Sequence, residues 1–325
     1  RVQGATQEVL TTVNKILKPV GSQVLWFEPT FSTLYLAPLE VSNVLRENLL
    51  TQSPVIATSA TLSVGKSFDS VARQIGFVVD EDESDEASEG IDPANVQMLD
   101  VGSPFDFAKQ GALYLPKHLP EPGRDGPSKE VLTELGELIE AAGGRTLALF
   151  SSWRGVEMAD EHLRKVLADL ELPIITQRRG DTVGPLVDRF AKNPQSILLG
   201  TISLWQGIDV PGPSCTLVAI DRIPFPRPDE PVMAARAKER DEAGGSGFMD
   251  VSLPRAALLL AQGTGRLIRS IDDRGVVAIL DSRIVNKRYG SILLNSMPPF
   301  WRTSDGAVIR DSLKRLNEAH LKDGK

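Results

Sequence analysis

Arg266 and Arg269 carry the clearest chemistry in this chain, set in Gln262-Gly263-Thr264-Gly265-Arg266-Leu267-Ile268-Arg269. They stand three apart, and on a helix that spacing puts both side chains on one face. Each guanidinium offers a planar fork of donors, so two on one face suit the non-bridging oxygens of a phosphate chain. Gly263 and Gly265 weaken a helix and point to close backbone approach. A surface helix with two solvated arginines satisfies the same pattern, so the pair alone does not decide. The apolar run from Leu253 to Ile271 is expected to be the helix that positions them, leading into a strand over 275–281.

A second phosphate-binding candidate is Ala60-Thr61-Leu62-Ser63-Val64-Gly65-Lys66-Ser67, a relaxed P-loop pattern with alanine in place of its first glycine. A phosphate cradle needs glycines so that backbone amides can curl around the anion. Here only Gly65 is present, and Leu62 and Val64 occupy the bend. A free-standing P-loop NTPase using Lys66 stays as an alternative function, as does a nucleic-acid-binding module with no catalysis of its own. Asp85-Glu86-Ala87-Ser88 looks superficially like a magnesium-binding ATPase box, but it lies in the acidic run from Asp80 to Glu86, with no apolar strand before it. His118, His162 and His320 match no metal-ligand spacing. The single cysteine, Cys215, leaves no thiolate set for an iron–sulfur cluster within the chain. No metal site is expected among these residues.

The elements that must position these groups follow from periodicity. Residues 2–17 carry apolar side chains at helical spacing, with Val9, Leu10, Val13, Ile16 and Leu17 as the stripe. The runs 24–27 and 33–36 predict a hairpin. A helix is expected over 41–50 with Val41, Val44, Leu45 and Leu49 inward, then a short buried strand over 54–58. From Ala112 onward short apolar runs alternate with amphipathic ones. Strands are expected at 112–115, 146–150, 173–176, 196–200, 216–220 and 276–280. Helices are expected at 129–142, 155–170, 183–192, 231–241, 253–271 and 286–296. Such alternation predicts a mainly parallel sheet covered on both faces, with its ligand crevice at the strands' carboxyl ends.

The run Gln262 to Arg269 closely resembles motif VI of the superfamily 2 helicases, and with Ser270 it resembles the DinG and XPD-like branch. Three other stretches resemble that branch in the right order. Ser59-Ala60-Thr61-Leu62 is similar to motif III, and Leu149-Phe150-Ser151-Ser152 to motif IV. The run from Gly200 to Gly212, containing Ser203, Trp205, Gln206, Gly207 and Asp209, is similar to motif V. The resemblance implies an α/β fold: a RecA-like parallel sheet over 112–325, preceded by a linker with an acidic loop over 66–111. Residues 1–65 would then hold the end of an inserted helical region and the last part of a first RecA-like domain. It further implies that Arg266 and Arg269 stabilise charge on a transferring phosphoryl group, while Gln262, Gly207 and Asp209 place the nucleotide. Ser59 and Thr61 would couple the nucleotide site to DNA. Ser151 and Ser152 would border the DNA strand, although their hydroxyls also suit capping of the next helix. Ser203 would meet a phosphate, and Trp205 would stack on a base or else pack in the core. Gln206 stands where the family usually has glutamate, which removes a charge and keeps hydrogen bonding.

Composition sets the outer limits. The 325 residues suffice for one large or two ordinary domains, and 41% hydrophobic with 24% charged residues is the balance of a soluble globular protein. A net charge of −7 gives no support to nucleic-acid binding by bulk electrostatics, so any such surface must be local. No apolar run reaches the length of a membrane span. The chain starts at Arg1 and is expected to be the C-terminal part of a longer 5′-3′ DNA helicase of the DinG type, active in repair or replication. Its expected partners are ATP, with magnesium bound mainly by upstream sequence, and single-stranded DNA. It is expected to be a cytoplasmic monomer, inactive as this portion alone.

Overall fold

A computed structural model describes residues 2–18, 23–59, 61, 67–77, 96–205 and 214–323. The chain forms two compact units, one of residues 1–99 with 225–255, the other of residues 100–224 with 256–325. Residues 225–255 lie inside the sequence segment 112–325 but pack with the first unit. No helix among the described residues is long and apolar enough to cross a membrane.

The first unit opens with α1 (Val2–Leu17), then the hairpin β1 (Gln23–Glu28) and β2 (Thr33–Pro38). The strands are antiparallel with Trp26 opposite Tyr35, and those rings stack 5.0 Å apart, a cross-strand pair that fixes register. Next come α2 (Ser42–Leu45), which continues into a π-turn over Arg46–Leu50, and α3 (Asp69–Gln74). The expected inward set over 41–50 is overturned: Val41, Val44 and Leu49 are exposed, and the buried side chain is Arg46. The reason is polar, because Arg46 Nε donates to the Gly76 carbonyl at 3.2 Å and Nη1 to Asn43 Oδ1 at 3.3 Å. Gly76 has φ +83°, and a Cβ there would sit 2.5 Å from the Ser42 carbonyl oxygen, so the turn requires glycine. The expected buried strand over 54–58 is also overturned, since these residues form no ladder and Ile56 is 90% exposed.

The second unit carries the sheet. Its elements begin with α4 (Phe107–Gln110), β3 (Gly111–Tyr114), α5 (Lys129–Ala142), β4 (Thr146–Phe150), α6 (Trp153–Val166), β5 (Ile174–Thr176), α7 (Val183–Lys192), β6 (Ile197–Thr201) and β7 (Leu217–Ile220). In chain order α8 (Pro231–Glu242) follows, belonging to the first unit, where Arg236 Nε donates to the Leu39 carbonyl. Then come α9 (Leu253–Thr264), β8 (Gly275–Ile279), α10 (Arg283–Asn286), α11 (Gly290–Ser296), β9 (Trp301–Thr303) and α12 (Gly306–Asp323). Seven parallel strands among the described residues pair in the order β5-β6-β4-β7-β8-β3-β9. All six strands expected after residue 112 are present; β9 and α12 are additions.

Both faces of the sheet are covered, which is why its strands read as unbroken apolar runs. On one face Ala148, Phe150, Leu217, Ala219, Val276 and Ala278 pack with Leu135 and Leu138 of α5, Leu163 of α6 and Leu313 of α12. Their neighbours along the strands, among them Leu147, Leu149, Val218, Ile220, Val277 and Ile279, point the other way and are equally buried. The result is a RecA-like α/β layer structure.

Candidate functional site

At the amino-terminal edge of β8 and β3 lies the segment 262–274. Helix α9 stops at Thr264, not at the expected Ile271. Thr264 is fully buried and its hydroxyl donates to the Leu260 carbonyl at 2.7 Å, while Gly265 N–H donates to the Ala261 carbonyl at 3.0 Å. Leu267 and Ile268, each 3% exposed, are consecutive and both point into the core. The backbone leaves the helix after Thr264, and Arg266 and Arg269 flank the buried pair. Leu267 fills the space over Gly275, where a Cβ would come within 2.6 Å of it. The two arginines flank an apolar anchor beyond the end of α9, which corrects the expectation that one helix carries both.

Polar contacts then hold the arginine loop. Asp273, 8% exposed, accepts from the backbone N–H groups of Arg269 and Ser270 at 2.8 Å each, and from the Ser270 hydroxyl at 2.8 Å. Gln110, just before β3, donates to the carbonyls of Ser270, Ile271 and Asp273 at 3.0, 3.1 and 3.3 Å. Oε1 of Gln262 and Nε of Arg269 are shielded from solvent. Burial pushes the pKa of both Arg266 and Arg269 down, with Asp273 opposing this at Arg269. Partly desolvated guanidiniums favour an anionic ligand, because they have already lost part of their hydration.

The carboxyl-terminal edge is built differently. Ser151 and Ser152 follow β4, and Ser152 is the N-cap of α6, its hydroxyl accepting from Gly155 N–H at 3.1 Å. Asp221 follows β7 and is 5% exposed. It accepts from Ser151 N–H at 3.0 Å and from Arg222 Nε at 3.2 Å. Burial pushes its carboxyl up to about 6 against the opposing Arg222 charge and the Ser151 N–H. Asp281 follows β8, is fully buried, and accepts from Ile223 N–H at 2.9 Å and Arg283 Nη2 at 2.7 Å. Gln177, after β5, accepts from Thr201 N–H at 2.8 Å through its buried side chain. Thr201 ends β6 within the motif V run, and Ile202–Trp205 then form a 3-10 turn.

The arginines are thus at one end of the strands and the motif IV loop is at the other. Residues 135–300 match the family described as the helicase C-terminal domain. The chain belongs to that family. The ATP-dependent helicase DinG of Mycobacterium tuberculosis is 46% identical over 97% of this chain and 47% of its own length. The ATP-dependent DNA helicase YoaA of Escherichia coli is 37% identical over 86% of this chain and 41% of its own length. This chain therefore spans about half the length of the curated relatives it matches. A solved XPD helicase superposes with a TM-score of 0.55 at 18% identity, covering 88% of this chain and 49% of that one, a likeness of fold. The motifs implied a helicase C-terminal domain with DinG-type relatives, and the family match and these two relatives agree with that.

The structure brings Gln262, Arg266 and Arg269 together in one segment, and it places Ser151 and Ser152 on the opposite edge. Ser59 and Thr61 are linked by a 3.2 Å bond from Thr61 N–H to Ser59 Oγ. Gly207 and Asp209 lie outside the described residues, as do Gln206, Lys66 with most of the P-loop-like run, and the acidic run. Ser203 and Trp205 are placed by backbone only, in the 3-10 turn. Sequence reasoning missed Asp221, Asp273, Asp281, Gln110 and Gln177. A signal existed for Asp221 and Asp281: each is an acidic residue that closes an apolar run, at the carboxyl end of a strand where ligand loops gather.

Proposed function

We propose that this chain is the second motor domain of a 5′-3′ DNA helicase of the DinG type, whose intact form hydrolyses ATP to move along single-stranded DNA. The observation that carries the reading is the arginine loop: two partly desolvated guanidiniums straddle a buried Leu267–Ile268 anchor, with the Arg269 backbone N–H held by Asp273. Fixed donors of this kind suit charge that develops on a transferring phosphoryl group, since they need little rearrangement when that charge appears. Arg266 and Arg269 take that role, and Gln262 with Gly207 and Asp209 places the nucleotide. Ser151, Ser152, Ser203 and Trp205 meet the DNA strand, and Ser59 and Thr61 relay between the two ligands. The protein acts as a cytoplasmic monomer in repair or replication.

Among the described residues no three His, Cys, Asp or Glu side chains gather where they could hold a metal ion. Magnesium and the phosphate-cradling loop fall to upstream sequence of the intact protein. The test is Arg269→Ala in the intact helicase. DNA-stimulated ATP hydrolysis should fall by roughly a thousandfold or more, with nucleotide affinity within about threefold of wild type. Hydrolysis within threefold of wild type would make Arg269 an ordinary surface arginine and sink the reading.

A further inference from the structure

The carboxyl edge holds a group that no part of the proposed mechanism uses. Asp221 is a buried carboxylate at the end of an otherwise apolar strand, and burying a charge is costly unless it is bonded on several sides. Its bonds all go to loops at that edge. It takes the Ser151 N–H after β4 and the Arg222 guanidinium after β7. Arg222 Nη1 in turn donates to the Gly123 carbonyl at 3.1 Å, in the loop after β3. The next residue, Ile223, is held by Asp281 after β8. The loops after β4, β7, β8 and β3 are therefore joined through two carboxylates and one guanidinium.

The Ser151–Ser152 loop depends on this arrangement more than on its own bonds. The Ser152 hydroxyl is committed to the N-terminus of α6. What the loop can offer a ligand is the Ser151 side chain and the local backbone, and their direction is set where Ser151 N–H is pinned. Core packing alone would be served by an apolar residue at 221, which would leave that N–H without its carboxylate acceptor.

We propose that Asp221 is a positioning residue for single-stranded DNA binding: by clasping Ser151 N–H and Arg222, it holds the Ser151–Ser152 loop in the shape that meets a strand phosphate. This rests on the reading that Ser151 and Ser152 border the DNA. Asp221 itself touches no DNA.

The experiment uses the intact helicase with Asp221→Ala, Asp221→Asn and Ser151→Glu. It measures affinity for a fluorescein-labelled oligo-dT, affinity for a fluorescent ADP, melting temperature, and amide hydrogen exchange in the peptide covering 150–154. Asp221→Ala should speed exchange in that peptide and weaken oligo-dT binding about tenfold, the loss of one charge-assisted hydrogen bond. Affinity for ADP should stay within twofold, because the arginine loop is at the other end of the strands. Asp221→Asn should recover most of the oligo-dT affinity, since its amide oxygen still accepts from Ser151 N–H. Ser151→Glu should abolish oligo-dT binding by repelling the phosphate. If Ser151→Glu binds normally, the DNA reading of this edge fails and the proposal goes with it. If Ser151→Glu fails to bind but Asp221→Ala binds as wild type, the DNA reading stands and the positioning role is overturned. A parallel loss of oligo-dT and ADP affinity with a fallen melting temperature, or no recovery in Asp221→Asn, would overturn it as well.

Discussion

The two ends of one sheet solve the same problem with opposite economies of charge. At the carboxyl edge, buried carboxylates turn inward: Asp221 and Asp281 spend their charge on loop amides and on Arg222 and Arg283. At the amino edge Asp273 also turns to backbone, but what it fixes is the main chain of Arg269 and Ser270. The first edge makes a rigid, internally neutralised rim. The second fixes the backbone of Arg269, one of two partly buried cations. A rim of that sort can hold a fixed shape for a ligand, whereas partly desolvated cations can answer charge that appears during a reaction. The net charge of −7 is therefore a poor guide to either edge, because local arrangement decides what a ligand meets.

The strongest test of the contrast is a substitution that keeps charge but changes shape. Arg269→Lys should fail nearly as badly as Arg269→Ala, by about 4 kcal/mol in the hydrolysis barrier, since an ammonium lacks the planar fork. Single-stranded DNA binding without nucleotide should survive both changes, and a matching loss of it would merge the two edges into one site.

Next in size is a pH effect confined to the carboxyl edge. Asp221 has its carboxyl raised to about 6 from an ordinary 3.8, with Arg222 as its charged neighbour. A raised folded-state value means the proton is held more tightly in the native state. That contribution is fully present below the unfolded value and is lost as pH rises through about 6. Asp221→Asn, which does not titrate, should gain stability on wild type between pH 4 and 7, by at most about 3 kcal/mol. Denaturant unfolding of both proteins across that range checks it, and a constant difference would mean Asp221 is not buried as an acid.

A smaller effect is expected from loosening the amino edge without touching its arginines. Asp273→Ala should lower DNA-stimulated hydrolysis by roughly tenfold to a hundredfold, because small misplacement of a reacting group costs on that order. The loss should fall on kcat, with nucleotide KM nearly unchanged. Smallest of all is Lys66→Ala, expected to leave ATP affinity of the intact enzyme unchanged in an equilibrium binding assay. A hundredfold loss there would revive the P-loop alternative. The chain by itself should release no phosphate from ATP above a protein-free control, with or without single-stranded DNA.

Much of the fold was legible in the sequence. The six expected strands after residue 112 and the helices over 129–142 and 183–192 were visible because buried parallel strands and amphipathic helices have different periods. The α12 stripe was there to be read in Ile309 and Leu313, four apart and both buried. The hairpin was legible from two aromatic-rich runs either side of a turn. The buried strand over 54–58 was not, because an apolar run states only that burial is wanted, while a strand exists only where a partner completes its hydrogen bonds. The inward set over 41–50 failed because Arg46 found the Gly76 and Asn43 oxygens, and polar satisfaction overrode the apolar pattern.

For the site, the sequence by itself determined which residues gather: Gln262, Arg266 and Arg269 lie within one short run, so no fold could scatter them. It also determined the family, through four motifs in order. Only the tertiary structure decided how the arginines are presented. Helix α9 ends at Thr264, Leu267 packs over Gly275 at the start of β8, and Asp273 takes the Arg269 N–H, so the arginines flank a buried Leu267–Ile268 anchor. Only the tertiary structure, likewise, could pair Asp221 with Ser151 and Asp273 with Gln110, because those partners are far apart in the chain and meet where the parallel strands bring their ends together.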